Sequence, residues 1–230
     1  MRRIRKGAAV LGALVLQSLP APAPAALTLS QVIVDLTPGK PLRDDIEAWN
    51  DTNERMYIIA EANLIANPGL SSEKRLQDPD PEKLGLLVTP TRMILEPGQR
   101  KILRVAAITP AGPTDRIYRV TIKPVSGGAA AGPSGLKILL GYDVLVVVRA
   151  AQLHPDLLSE RSGRSMTLKN RGNTNVELFD GQQCDAQGKH CVELPSKRLY
   201  AGAEWVQALP GDGPLEYTVK AGGEVTRRKF

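Results

Sequence analysis

The stretch Met93–Ala107 reads MILEPGQRKILRVAA and decides the fold class of this 230-residue chain. Glu96–Gln99 is a turn sequence, because proline presets φ and the following glycine accepts a positive φ. After the turn the residues alternate, so that Leu103 and Val105 would face one side of a strand while Arg104 faces the other. The stretch therefore predicts two short strands joined by a tight turn.

Short apolar segments of the same kind recur along the chain and are separated by turn residues, a pattern typical of an all-β sandwich. Ser71–Lys83 is polar and rich in Pro and Asp, and Ser126–Gly135 is rich in Gly and Ala, so we expect loops there. The predicted strands are Leu29–Leu36, Leu42–Asn50, Met56–Ala66, Leu86–Thr89, Met93–Leu95, Lys101–Ala107, Ile117–Pro124, Leu136–Arg149, Ser165–Asn170, Asn175–Asp180, Lys197–Tyr200, Glu204–Ala208 and Leu215–Lys220.

The first 25 residues predict a signal peptide. A basic segment, Arg2–Lys6, precedes the uncharged and mostly apolar run Gly7–Leu19, and small residues stand before Ala26. The run is short for an ordinary transmembrane helix, although an uncleaved N-terminal anchor is an alternative. We therefore expect the chain to be exported.

Removal of that peptide changes the charge of the chain. The full sequence has 30 Lys and Arg against 24 Asp and Glu, and cleavage leaves 26 basic residues against the same 24. A nearly balanced charge gives no support to a nucleic-acid partner, since the high isoelectric point comes mostly from the signal peptide.

The length of the mature chain suits two modest domains. A boundary is expected around Ala150–Ser162, where Pro155 discourages a continuing strand. The predicted division is a signal peptide over 1–25, a first domain over 26–150 and a smaller second domain over 151–230. Cys184 and Cys191 fall in the second domain, and an even cysteine count in an exported chain favours a disulfide. A metal site that added His190 would have only three ligands, so we expect no metal.

Leu136–Arg149 is the most informative of the predicted strands. Leu136, Ile138 and Leu140 make one face of its first half aliphatic, and Tyr142 continues that face. Its second half is apolar on both faces, as in a buried strand. The pattern fits an ordinary core strand, and it also fits a sheet edge whose apolar side chains complete another protein by strand addition.

The chain resembles the periplasmic pilus chaperones of the chaperone–usher pathway, and most nearly the alternate class that serves alpha-type fimbriae. The resemblance covers essentially the whole mature chain and implies two immunoglobulin-like β-sandwich domains in an L or boomerang arrangement. It is carried by the order and spacing of the segments GLLVTP (85–90), ILEPG (94–98), LRV (103–105), IYRV (117–120), GYDVLVVVR (141–149) and LKNRGN (168–173).

The resemblance also implies a function. Chaperones of this family lend an edge strand to pilus subunits that lack their own last strand, and they pass the subunit to an outer-membrane usher without a nucleotide or a metal. By position, the lent residues here would be Leu136, Ile138 and Leu140, followed by Tyr142. An exposed edge of this kind can also be covered by self-association of the free protein.

One departure from the family concerns the subunit's terminal carboxylate. Better-known members bind it with an Arg on the first strand and a Lys on the lent strand, and the corresponding residues here are the apolar Ile33 and Leu145. Because a guanidinium can bind a carboxylate bidentately, Arg104 and Arg119 are candidate replacements. Each also fits a solvated charge on an exposed strand.

Two further roles follow from the resemblance. Arg149 matches a family position that supports the angle between the domains, and Asp115 is its candidate partner. Cys184 and Cys191 fall where members of the alternate class carry a pair of cysteines in the second domain.

Other classes of protein fit the sequence less well. The chain has two histidines and lacks the Gly-x-Ser-x-Gly, His-Glu-x-x-His and phosphate-loop motifs, so we expect neither an enzyme nor a cofactor. A secreted pilin or adhesin should be an incomplete single domain, whereas this chain has enough predicted strands for two sandwiches. Another immunoglobulin-like binding module stays as an alternative.

Overall fold

A computed structural model of the chain describes residues 27–125, 139–185 and 187–230. The predicted signal peptide lies outside these residues, as do the predicted loop Ser126–Gly135 and the predicted donor residues Leu136 and Ile138.

The described residues form strands almost throughout, with one short helix. The strands are β1 (Leu27–Leu29), β2 (Ile33–Leu36), β3 (Arg43–Asn50), β4 (Met56–Ala66), β5 (Lys74–Leu76), β6 (Leu86–Thr89), β7 (Arg92–Leu95), β8 (Arg100–Ala107), β9 (Arg116–Val125), β10 (Tyr142–Val148), β11 (Leu157–Ser162), β12 (Ser165–Asn170), β13 (Val176–Cys184), β14 (Cys191–Leu194), β15 (Lys197–Leu199), β16 (Glu204–Ala208), β17 (Leu215–Ala221) and β18 (Glu224–Lys229), and the helix α1 is Pro81–Leu84.

The first sandwich packs two sheets face to face. One has the strand order β1-β3-β8-β6, and the other has the order β2-β10-β9-β4-β5, with β7 also paired to β4. The predicted alternation in β8 is confirmed, because Leu103 and Val105 are fully buried between the sheets while Ile102 is 56% exposed on the outside. Ile58 and Val146 enter the same core from the second sheet.

The second sandwich is smaller and is built on the same plan. Its sheets have the orders β11-β12-β16 and β14-β13-β17-β18, with β15 paired to β13, and Leu168, Leu178 and Leu215 are buried between them. The disulfide predicted between Cys184 and Cys191 is confirmed, and it joins β13 to β14 with an S–S distance of 2.00 Å. The predicted fold class of two β-sandwich domains is therefore confirmed.

The prediction of one continuous strand over Leu29–Leu36 is wrong. The backbone bends after Leu29, where the Ser30 amide donates to the Glu47 carbonyl at 2.8 Å, and the chain then crosses to the other sheet. As a result β1 pairs with β3 in one sheet, whereas β2 pairs in parallel with β10 in the other. The apolar alternation had concealed this crossing because both pieces bury their side chains in the same core.

Two predicted connections contain regular structure. The predicted loop Ser71–Lys83 holds β5 and most of α1, whose first turn is capped by the Asp80 carboxylate accepting from the Glu82 amide at 3.0 Å. The predicted boundary Ala150–Ser162 includes β11, which pairs with β12 along its whole length. Both strands are polar and largely exposed, so they lack the apolar alternation on which the prediction depended.

A buried arginine joins the two sandwiches directly after β10. Arg149 donates through Nε to Asp35 at 2.7 Å and through Nη1 to Asp115 at 3.1 Å, and Thr174 and Asn175 of the second sandwich accept from the same Nη1. Burial opposes its charge, but the hydrogen bond and charge of Asp35, helped by Asp115, hold the pKa of Arg149 above its usual value. The candidate pair Arg149–Asp115 is thus present in the structure.

Asp115 completes this junction from the first sandwich. Its carboxylate accepts from the Ala150 amide at 2.9 Å, the Thr174 hydroxyl at 2.8 Å and the Asn175 amide at 3.0 Å, in addition to Arg149. One nearly inaccessible carboxylate therefore satisfies donors from both sandwiches, which fixes how they meet.

We predict that Asp115→Ala destabilises the protein by about 3 kcal/mol, because it leaves buried donors and part of a buried charge without a partner. The measurement is the free energy of unfolding from urea curves. Asp51→Ala, at an exposed position in the same sandwich, is the control. Similar losses in the two variants would contradict the role given to Asp115.

Candidate functional site

The beginning of β10 has an open edge. The strand pairs with β9 from Tyr142 to Val148, but it pairs with β2 only from Leu145 to Val148. Ahead of Leu145, β10 has β9 on one side, and no strand of the described residues lies on the other. An unpaired stretch of this kind can accept another strand through its main-chain groups.

Leu140 and Tyr142, which were predicted to share a face of the donor strand, lie in different surroundings. Leu140 is 73% exposed, the largest exposure among the large apolar residues of the described chain. Tyr142 is half-buried against the first core, and its hydroxyl donates to the Leu27 carbonyl at 2.8 Å. Tyr142 therefore links β10 to β1, whereas Leu140 lies just ahead of β10 and is exposed.

Gly141 lets the backbone between these two residues approach β9 closely. A Cβ atom at Gly141 would lie 2.6 Å from the Lys123 Cβ and 3.0 Å from the Ile122 carbonyl oxygen. Glycine is therefore required for the backbone at position 141 to lie this close to β9.

The outer face of the larger sheet forms an apolar floor against the second sandwich. Ile65, Ile117, Leu145 and Val147 form one buried cluster, and Tyr200 from the second sandwich packs on it. Burial raises the pKa of Tyr200, so its hydroxyl stays neutral. Where the larger sheet of the first sandwich meets Tyr200, the contact between the sandwiches is thus apolar.

Ile33 and Leu145, the two apolar replacements identified from the sequence, are direct neighbours. They are register partners in the parallel pair of β2 and β10. Leu145 is only 4% exposed, whereas Ile33 is 47% exposed at the edge. No charge is available from either residue to bind a carboxylate.

The structure separates the two arginines that were predicted as carboxylate anchors. Arg119 is the register partner of Leu145 on β9, and it lies beside Tyr200 at the region between the sandwiches. Arg104 lies on β8 in the other sheet, where its Nε and Nη2 both donate to Asp45 at 2.7 Å. Of these two arginines, only Arg119 therefore lies next to the apolar floor.

Arg75 is a residue of this site that the sequence analysis missed. It donates through Nη1 and Nη2 to the two carboxylate oxygens of Asp143, at 3.1 and 2.5 Å, and the Thr121 hydroxyl donates to the same carboxylate at 3.2 Å. Partial burial disfavours the charge of Asp143, but Arg75, then Thr121 and Arg119, outweigh it and hold its pKa below the usual value. Its strand had been predicted as loop, so the sequence carried no sign of this contact.

The described residues include no group of three or more His, Cys, Asp or Glu side chains placed to hold a metal ion. A search of the same residues for a helix long and apolar enough to cross a membrane also found none.

Sequence comparisons give two fimbrial proteins of Escherichia coli as relatives. No protein-family model matches the chain. It is 25% identical over 171 residues to a CS1 fimbrial subunit of Escherichia coli, covering 70% of this chain and 71% of the relative. It is 23% identical over 165 residues to a CFA/I fimbrial subunit of Escherichia coli, covering 67% and 69%.

Solved structures give a stronger likeness. The class 5 fimbriae chaperone CfaA matches with a TM-score of 0.65 at 19% identity, over 88% of this chain and 98% of that one. A complex of the Salmonella enterica SafA pilin with the SafB chaperone matches with a TM-score of 0.64 at 17% identity, over 91% and 98%. The Escherichia coli chaperone DraB matches with a TM-score of 0.60 at 16% identity, over 89% and 94%.

The chain has the fold of the pilus chaperones. The resemblance predicted from the sequence is thereby confirmed at the level of the two-domain architecture.

We predict that Gly141→Val lowers the free energy of unfolding by about 1–3 kcal/mol, because its side chain would overlap Lys123 and push the chain away from β9. Urea unfolding measures this loss. Gly112→Val is the matched control, since the nearest atom to an added Cβ there is the Thr114 carbonyl oxygen at 3.9 Å. A smaller loss at Gly141 than at Gly112 would contradict the close approach.

Proposed function

We propose that this protein is a periplasmic chaperone that binds and stabilises pilus subunits by lending them a strand and delivers them to an outer-membrane usher. The observation that carries the proposal is the open edge of β10 ahead of Leu145, with the exposed Leu140 beside it. A subunit strand placed on that edge would pair with main-chain groups that have no strand partner in the described chain.

The apolar side chains of the edge supply the second part of the interaction. Burying an exposed leucine contributes about 1.5–3 kcal/mol, so Leu140 and its predicted companions Leu136 and Ile138 can together stabilise a subunit that lacks a strand. When no subunit is bound, the same edge favours covering by a second copy of the protein.

The comparisons support this proposal. The structural relatives include the SafB chaperone with its pilin and, at a TM-score of 0.61, a chaperone–tip adhesin complex described for CFA/I fimbriae biogenesis. They are chaperones rather than enzymes, and we assign no enzymatic activity to this chain. The predicted signal peptide supports the proposed periplasmic location.

A structural pilin is the second candidate, because the curated relatives are named fimbrial subunits. A pilin that awaits a donor strand should be an incomplete sandwich, whereas this chain forms two sandwiches of paired sheets. The purified protein separates the candidates: a chaperone stays folded alone, and a pilin without its donor strand unfolds or polymerises.

We predict that Leu140→Glu, alone or with Ile138→Glu, abolishes recovery of the pilin and leaves the stability of the chaperone nearly unchanged. The charge would enter the subunit's apolar groove, but in the free protein Leu140 is exposed. The measurement is co-purification of the cognate pilin from the periplasm.

Ile102→Glu is the matched control for that experiment. Ile102 is an exposed aliphatic residue of the same sandwich, but it lies on β8 in the opposite sheet. Undiminished pilin recovery with Leu140→Glu, or an equal loss with Ile102→Glu, would remove the donor role of Leu140.

We also propose that Arg119 binds the terminal carboxylate of the subunit. Arg119→Ala should weaken subunit binding by about tenfold or more, the effect of losing a charge-assisted hydrogen bond. Arg104→Ala is the control, since Arg104 lies on the opposite sheet with Asp45. Wild-type affinity in Arg119→Ala, measured by competition for a limiting amount of pilin, would exclude Arg119 as the anchor.

A further inference from the structure

The ion pair between Arg75 and Asp143 spans the face of the sheet. Arg75 lies on β5 opposite Ile65, and Asp143 lies near the start of β10, with β4 and β9 between their strands. The two side chains nevertheless meet in a bidentate contact. The two side chains must therefore together cover the outer face of β4 and β9, with the Asp143 carboxylate reaching Thr121 on β9, on the side where the apolar floor packs against Tyr200.

A second arginine lies beside the same carboxylate. Arg119 donates to the Asp143 carbonyl at 3.1 Å, and its Nε lies 3.9 Å from Asp143 Oδ2. The next charges on this face, Lys123 and Glu61, neutralise each other at 3.1 Å. Glu73 adds a further negative charge near Arg75. Two guanidinium groups thus share the Asp143 carboxylate in direct contact.

We propose that Asp143 is an internal stand-in for the terminal carboxylate of a bound subunit, and that Arg75 acts with Arg119 as the site that receives this carboxylate. The inference rests on the proposed function. An aspartate side chain and a main-chain terminus present the same planar group, and a guanidinium fork binds either of them bidentately.

Arg75, Asp143 and Arg119 are exposed enough for a subunit carboxylate to replace that of Asp143. The side chains of Arg75, Asp143 and Arg119 are between one third and one half exposed, so an incoming carboxylate can reach both arginines. The internal carboxylate also keeps the two cations oriented and neutralised in part while no subunit is bound. The site replaces the family's basic pair, whose positions here hold Ile33 and Leu145.

This arrangement makes Asp143 a competitor of the subunit. Removal of its charge should raise the affinity for a subunit with a free terminal carboxylate by about two- to fivefold, the range expected for an exposed ion pair. The gain should depend on Arg75, because that guanidinium is the group released.

The experiment uses the full mature chain. A limiting amount of denatured cognate pilin is diluted into equal amounts of tagged wild-type and variant chaperone. Asp143→Asn keeps the shape of the side chain without its charge and should capture two- to fivefold more pilin than wild type. Adding Arg75→Gln should cancel the gain. A semisynthetic pilin with a terminal amide should show no gain.

The outcomes separate the two levels of inference. If Asp143→Asn captures no more pilin than wild type, the role of Asp143 is overturned. The same holds if the gain is as large with the amide pilin as with the pilin that has a free carboxylate. In both cases, capture of pilin by the wild-type protein still upholds the proposed function. Failure of wild type to capture any pilin overturns both. Urea unfolding measures whether each variant is as stable as wild type. If Asp143→Asn is unstable, Asp143→Ser replaces it and must show the same gain in capture.

Discussion

The register of β10 is the constraint on which the rest of the structure depends. Val144, Val146 and Val148 enter the core of the first sandwich, whereas Leu145 and Val147 pack on the outer face beneath Tyr200. A shift by one residue would exchange these two sets, so burial on both faces fixes the strand along its axis. The place at which its edge opens is then set by where β2 begins, at Ile33.

The same strand also determines how the two sandwiches meet. β10 ends at Val148, and the next residue is the buried Arg149, whose charge is compensated by Asp35 and Asp115 from the first sandwich. Because an uncompensated buried charge is very unfavourable, Arg149 stays where those carboxylates are, and Thr174 and Asn175 of the second sandwich must come to it. One strand therefore carries the open edge at its start and the junction at its end.

Apolar alternation predicted most of the strands, since strands such as β8 and β12 bury every second side chain. It failed for β5, β11, β14 and β18, which are exposed at most positions and are held by pairing with a neighbour rather than by a core. Pairing of this kind is a tertiary property that local sequence does not encode. The crossing from β1 to β2 was missed for the converse reason, because both strands look alike in hydrophobicity.

The candidate site shows the same division between local and tertiary information. The exposed Leu140 and the role of Arg149 could be proposed from the sequence, because each occupies a position with a recognisable pattern. Arg75 could not be proposed, since its contact with Asp143 depends on β5 joining the sheet and on two side chains meeting above the strands between them. Asp35 was hidden in the same way, because its strand had been merged with β1.

The apolar residues at positions 33 and 145 and the arginines beside them are two consequences of one packing arrangement. A lysine at position 145 would be placed in a cluster of Ile65, Ile117 and Val147 under Tyr200, where Leu145 is 4% exposed. A charge there would lose its hydration without gaining a partner from that cluster, which is strongly unfavourable. Positive charge is tolerated one strand away, at Arg119, where the side chain is one third exposed. A floor sealed by Tyr200 therefore requires that any carboxylate be bound at the margin of the floor rather than within it.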